Sequence, residues 1–103
     1  KLHKIYKLRI QNHLKINKKY EKEKAKQLLK LIEEYTNDND KTKKNKDINQ
    51  LANELYNKNR TIISQQMIDV ALAVYSFTEA GMSGGPLQPL DEFIPDLKEI
   101  ISG

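Results

Sequence analysis

Cysteine is absent from the 103-residue chain. Disulfide frameworks, thiolate metal sites and cysteine nucleophiles are therefore excluded. Arginine is scarce, with Arg9 and Arg60 as the only two copies. Base readout and bidentate phosphate recognition favour arginine, so a lysine-rich surface predicts diffuse attraction rather than sequence-specific contact. No run of roughly 18 apolar residues occurs, and no segment reads as a membrane span. No secretory signal is visible, and a chain starting at Lys1 instead of methionine is expected to begin upstream. Histidine is limited to His3 and His13, whose spacing does not put both on one helix face as metal ligands. Period-two alternation is never sustained, so no strand is expected.

What remains is a chain sized for one domain, residues 1–103, with 38% apolar and 31% charged residues. Such a domain holds one modest core and leaves little material for a deep catalytic cleft. Charge is divided unevenly. Residues 1–46 carry 14 Lys and one Arg against six acids, a net of +9. Residues 47–103 carry two Lys and one Arg against eight acids, a net of −5. The asymmetry marks either a face for an anionic partner or a set of solvated helix faces.

Five helical segments are predicted. Leu2, Ile5, Tyr6 and Leu8 give the first, up to Asn12. Ala25, Leu28, Leu29, Ile32 and Tyr35 form a clear apolar stripe, placing a helix from Asn17–Tyr20 to just before Thr36. Residues 36–46 hold no apolar side chain and predict a mobile polar loop, dispensable for folding. Asp47 then reads as an N-cap with Gln50 as its capping-box partner, followed by the stripe Ile48, Leu51, Ala52, Leu55 and Tyr56, up to Lys58-Asn59. Ser64 is the next N-cap, with Ile63 and Ile68 placed for a hydrophobic staple. The helix after it runs to Ala80 and stops at Gly81 as a left-handed cap. Because it is apolar on most of its circumference, it is expected to be the buried spine. The predicted core centres on Leu28, Ile32, Leu51, Leu55, Ile68, Leu72 and Tyr75.

The tail differs. Gly81 to Pro89 holds three of the four glycines and two of the three prolines, which predicts a loop. Pro95 suits the first turn of a short last helix bearing Leu97, Ile100 and Ile101. The tail is expected to be separable, so that truncation at Gly81 leaves the helices intact. The five tyrosines, Tyr6, Tyr20, Tyr35, Tyr56 and Tyr75, lie near apolar stripes and read as core edge, with rings buried and hydroxyls wet.

Catalytic candidates are weak. Gly81-Met82-Ser83-Gly84-Gly85-Pro86 resembles the nucleophile segment of trypsin-like serine proteases, with Met82 where that family has an acid. That chemistry needs a base near the hydroxyl and a strand-rich or α/β scaffold. Asp38 and Asp40 lack the glycine and glutamate of a calcium loop. No phosphate-binding glycine pattern precedes a helix. The chain is expected not to be an enzyme and to need no cofactor.

Asp47-Ile48-Asn49-Gln50-Leu51-Ala52-Asn53-Glu54-Leu55-Tyr56, then Asn59-Arg60-Thr61-Ile62-Ile63 and a long helix ending Glu79-Ala80-Gly81, carry a family likeness. They resemble the third and fourth helices of immunity proteins against pediocin-like (class IIa) bacteriocins, especially the enterocin A type. Ile5-Tyr6 and the lysine-rich second helix match that family's first two helices, and the tail from Gly81 departs from it. The resemblance implies an all-α, antiparallel four-helix bundle with a Gly/Pro loop and short C-terminal helix over 81–103. It implies a cytoplasmic protein that protects the producer cell by acting on the membrane receptor engaged by the bacteriocin, the mannose phosphotransferase permease. Specificity in such proteins lies in the C-terminal half. Met82, Leu87, Leu90, Phe93 and Ile94 are then the candidate recognition residues, although Leu90 and Phe93 also suit a role in capping the bundle. Weak contact of the lysine face of residues 15–30 with an anionic membrane surface is a further expectation. The competing reading is a small basic nucleic-acid-binding module, against which the apolar fourth helix argues.

Overall fold

The structure is a computed structural model, and it describes residues 16–103. The predicted first helix, with Tyr6 and both histidines, lies outside them. Among the described residues there are four α-helices and no strand. None of these helices is long and apolar enough to cross a membrane.

Helix α1 spans Lys18–Asn37. Asn17 caps it, its Oδ1 accepting from the Tyr20 amide at 3.0 Å. Glu21, Ala25, Leu28, Ile32 and Tyr35 are buried along one stripe. The helix outruns its expected end because Thr36 and Asn37 side chains bond back to the Ile32 and Glu33 carbonyls, using their polar groups locally.

The largest departure from expectation follows. Residues 36–46 are not a polar loop. Helix α2 starts at Thr42 and runs to Asn53, so Asp47 lies inside the helix and is not its cap. The connection shrinks to residues 38–41, and Asp40 does the work assigned to Asp47, its Oδ1 accepting from the Thr42 amide at 3.1 Å. Lys41 folds its ammonium back on the Thr36 and Asp38 carbonyls and over the Tyr35 ring, a cation at the negative end of α1. The stripe of α2 is Asn45, Ile48, Asn49 and Ala52, all buried. Two asparagines in it are why hydrophobicity did not reveal its first turn.

The chain then widens into a π-helical turn, Glu54–Lys58, closed by the Asn59 amide on the Glu54 carbonyl at 3.1 Å. Leu55 in this turn is buried, whereas Leu51, on the helix before it, is half-buried at the edge of the stripe. A short 3-10 turn, Arg60–Ile62, leads to Ser64.

Ser64 caps helix α3, Gln65–Met82, as expected, its Oγ accepting from the Met67 amide at 3.2 Å. Met67, Val70, Ala71, Val74 and Thr78 are buried. The helix is the spine, but on a different face from the one expected. Leu72 is 40% exposed, and Ile68 and Tyr75 are half-buried. Gly81 does not stop the helix. The chain continues to Met82, and the positive φ falls at Gly84, where φ is 90°. Gly81 is needed for space, because a Cβ there would lie 2.7 Å from Leu87 Cδ2 as the tail folds back.

The tail is not separable. Leu90 and Phe93 enter the core, and Tyr35 donates its hydroxyl to the Gln88 carbonyl at 2.7 Å. A 3-10 turn, Asp91–Phe93, leads into helix α4, Ile94–Ser102, with Pro95 in its first turn and Leu97 and Ile100 buried. Phe77 meets Phe93 edge to face, with ring centroids 5.5 Å apart. Helix α3 packs chiefly on α2, and α4 chiefly on α1. Truncation at Gly81 would therefore strip four buried apolar side chains from the core.

Candidate functional site

The region where α2 begins and α3 ends is fixed by a buried polar tie. Asn45 donates to the Thr78 carbonyl at 3.0 Å. Asn49 donates to Thr78 Oγ1 at 3.1 Å and to Glu79 at 3.2 Å. Thr78 is wholly buried, and its hydroxyl donates back to the Val74 and Tyr75 carbonyls. Buried polar groups must find partners, so this set specifies how α2 and α3 meet here.

Beside the tie lies a cleft of about 670 Å³, lined by Asp40, Thr42, Lys43, Asn45, Lys46, Gly81, Met82, Gly85 and Leu87. Among the described residues the exposed large hydrophobics are Leu72, Met82 and Leu87, and two of these three meet in this cleft. Met82 is 50% exposed, as the last residue of α3. Lys43 and Lys46 are exposed on its rim and make no ion pair among the described residues. Lys44, between them, is held by Glu34 at 3.1 Å.

The five recognition candidates are split. Met82 and Leu87 lie in the cleft. Leu90 and Phe93 are core residues, 1% and 8% exposed, and cannot meet a partner without unfolding the tail. Ile94 is half-buried against the core. Met82 and Leu87 share the cleft with Asn45, Lys43 and Lys46, which lie on α2 and not in the polar loop expected over 36–46. The signal was present in the spacing of Asn45, Ile48, Asn49 and Ala52, which is one helix stripe carrying two amides.

The chain matches no family model, no curated protein and no solved structure.

Other clusters on the molecule are structural. Tyr20 donates to Glu54 at 3.0 Å, accepts from Asn59 at 2.7 Å, and stands beside the Lys24–Glu54 ion pair at 3.2 Å. This set ties the start of α1 to the π turn. Burial pushes the Tyr20 phenol upward, and the Glu54 bond adds to the effect. Burial also pushes the Glu54 carboxyl upward, but bonds from Lys24 and Tyr20 and the charges of Lys24 and Lys58 outweigh it and hold the carboxyl below its ordinary value. A smaller cleft of about 250 Å³ lies between Gln66, Asp69, Val70, Phe93 and Asp96. Among the described residues no three His, Cys, Asp or Glu side chains gather as a metal site. Ser83 is an exposed residue at the C-cap of α3.

Proposed function

We propose that this chain is a bacteriocin immunity protein of the pediocin-like class, a non-catalytic antiparallel four-helix bundle. In this reading it works in the cytoplasm at the inner face of the membrane, on the mannose phosphotransferase permease engaged by the peptide. On the same reading α1, α2 and α3 are the second to fourth helices of the bundle, whose first helix is the predicted one outside the described residues, and α4 is the short C-terminal helix; the end-to-start contacts support alternating directions. Glu34 near the end of α1 meets Lys44 near the start of α2, and Asn45 near the start of α2 meets Thr78 near the end of α3. Tyr35, late in α1, meets the chain ahead of α4 at Gln88. The observation that carries a docking role is the cleft that gathers Met82 and Leu87 at the departure point from the family pattern.

Expression in a sensitive strain is expected to protect against one or a few pediocin-like peptides. Met82→Ser should reduce protection while far-ultraviolet circular dichroism stays unchanged, since the side chain is half in solvent. A chain that protects against no such peptide, but binds duplex DNA with a steep salt slope, would replace this reading with the nucleic-acid one.

A further inference from the structure

We propose that the cleft between the start of α2 and the end of α3 takes an acidic segment of a partner protein, in which apolar side chains alternate with carboxylates. The inference rests on the preceding reading only in taking this cleft as the docking surface. Three independent features of the cleft each demand one part of that ligand.

The first is charge at the positive end of a helix. Helix α2 has no acid in its first turn and carries Lys43 and Lys44 there, with Lys41 just before and Lys46 just after. Helix N-termini favour carboxylates and disfavour ammonium groups. Lys41 and Lys44 are committed to neighbours within the fold, which leaves Lys43 and Lys46 facing solvent. The one rim carboxylate, Asp40, accepts from the Thr42 amide and is a single acid against two exposed lysines. An incoming carboxylate would answer both the lysines and the helix end.

The second is the apolar wall of Met82 and Leu87, half and one-third exposed. A free anion has no use for it, whereas a leucine-like side chain would cover it. The third is Asn45. The residue is 97% buried by its 3% exposure, and its amide nitrogen is spent on Thr78. Its Oδ1 accepts no bond from the described residues and lies at the cleft wall, where the residue keeps its small exposed edge. It calls for a donor. A peptide supplies an N–H beside its carboxylates and its apolar side chains, so one short acidic segment meets all three features.

The test uses the full chain and a fluorescein-labelled peptide of leucine pairs alternating with glutamate pairs, read by anisotropy. Saturable binding is expected, with no binding of the same peptide carrying lysine for glutamate. The double variant Lys43→Glu, Lys46→Glu should invert this preference. That variant places acids at the positive end of α2, so its fold is retained, and circular dichroism checks this. Met82→Ser should weaken binding by about tenfold. Equal binding of both peptide charge forms would overturn the proposal. So would undiminished binding of an acidic peptide with serine for leucine, which would indicate simple ion exchange. Binding of phosphatidylglycerol vesicles but not of the peptide, lost in the double variant, would assign the cleft to a lipid surface instead. The protection assay separates the two readings. Peptide binding as expected without protection of any strain overturns the immunity reading alone. Protection that survives intact in the double variant overturns the acidic-segment proposal alone.

Discussion

Removing the Glu21 carboxylate should destabilise the fold far more than removing any other acid on α1. Glu21 is 8% exposed and reaches across to the start of α3. It accepts from the Ser64 amide at 2.6 Å and from the Ser64 hydroxyl at 3.0 Å, while the same hydroxyl oxygen accepts from Met67. The carboxylate thus sits at the positive end of α3 and orients its cap. Hydrogen bonds to charged groups contribute about 1.5–3 kcal/mol each, and the second is partly shared with the cap, so Glu21→Ala should cost about 2–4 kcal/mol. Ser64→Ala loses one of these bonds and the cap, about 1–3 kcal/mol. Because both substitutions delete the same contact, the double variant should fall short of the sum by about 1–2 kcal/mol. Glu21→Gln keeps one acceptor for the amide and should lose about half as much as alanine. Glu23→Ala, on the exposed face of the same helix, should stay within about 0.5 kcal/mol and controls for helix propensity. Urea denaturation at neutral pH reads all five, and the Glu21→Ala midpoint should fall by about 1–3 M. A coupling under about 0.3 kcal/mol would refute the argument, since the carboxylate and the cap would then act independently.

Three further predictions address the core and the ionisable groups. Leu28→Ala, at a fully buried position, should cost about 2–5 kcal/mol by urea denaturation, whereas Leu72→Ala, on the open side of α3, should cost under about 1 kcal/mol. Burial raises the Tyr35 phenol, so its contribution is fully present below pH about 10 and is lost as pH rises through the folded value. Tyr35→Phe should cost about 0.5–1.5 kcal/mol at neutral pH and flatten that alkaline loss in thermal melts. The Glu54 carboxyl is lowered in the fold, so its contribution is present above pH about 4.5 and is lost as pH falls through the folded value; Glu54→Gln should blunt the acid side of the stability profile.

Sequence reading succeeded where one physical signal dominated. The stripe of α1 and the Ser64 cap were legible because apolar spacing and a capping hydroxyl each pointed one way. It failed at the start of α2, where asparagines occupy buried positions and each donates to Thr78. A periodicity that counts only apolar residues does not register them. It also placed the wrong face of α3 inward, because that helix is apolar on two sides and only its neighbours decide between Val74 and Leu72. The π turn has no local sequence mark, and Leu51 lies at the edge because the buried stripe of α2 runs through Asn45, Ile48, Asn49 and Ala52. The candidate site was half legible. Met82 and Leu87 stand out as apolar residues in a glycine-proline segment. Their joining to Lys43 and Lys46 depends on folding the whole of α2 against α3.

The burial of Leu90 and Phe93 sets how this protein can diversify. Everything between Ser83 and Pro89 is exposed, and it is bounded by Val74 and Thr78 upstream and by Leu90 downstream, each wholly or almost wholly buried. That span behaves as a cassette held at both ends by the core. Apart from Gly84, with its positive φ, and Gly85, where a Cβ would lie 2.8 Å from the Ala80 carbonyl oxygen, its residues can be exchanged or the span lengthened at little cost to stability, because loop closure depends weakly on length. Exchange of the entire C-terminal region between two such proteins would instead transplant half a core and force its new host to repack around foreign side chains. Chimeras and display libraries built on this scaffold should therefore be joined on the near side of Leu90. There, new contacts can be sampled without the fold having to be solved again.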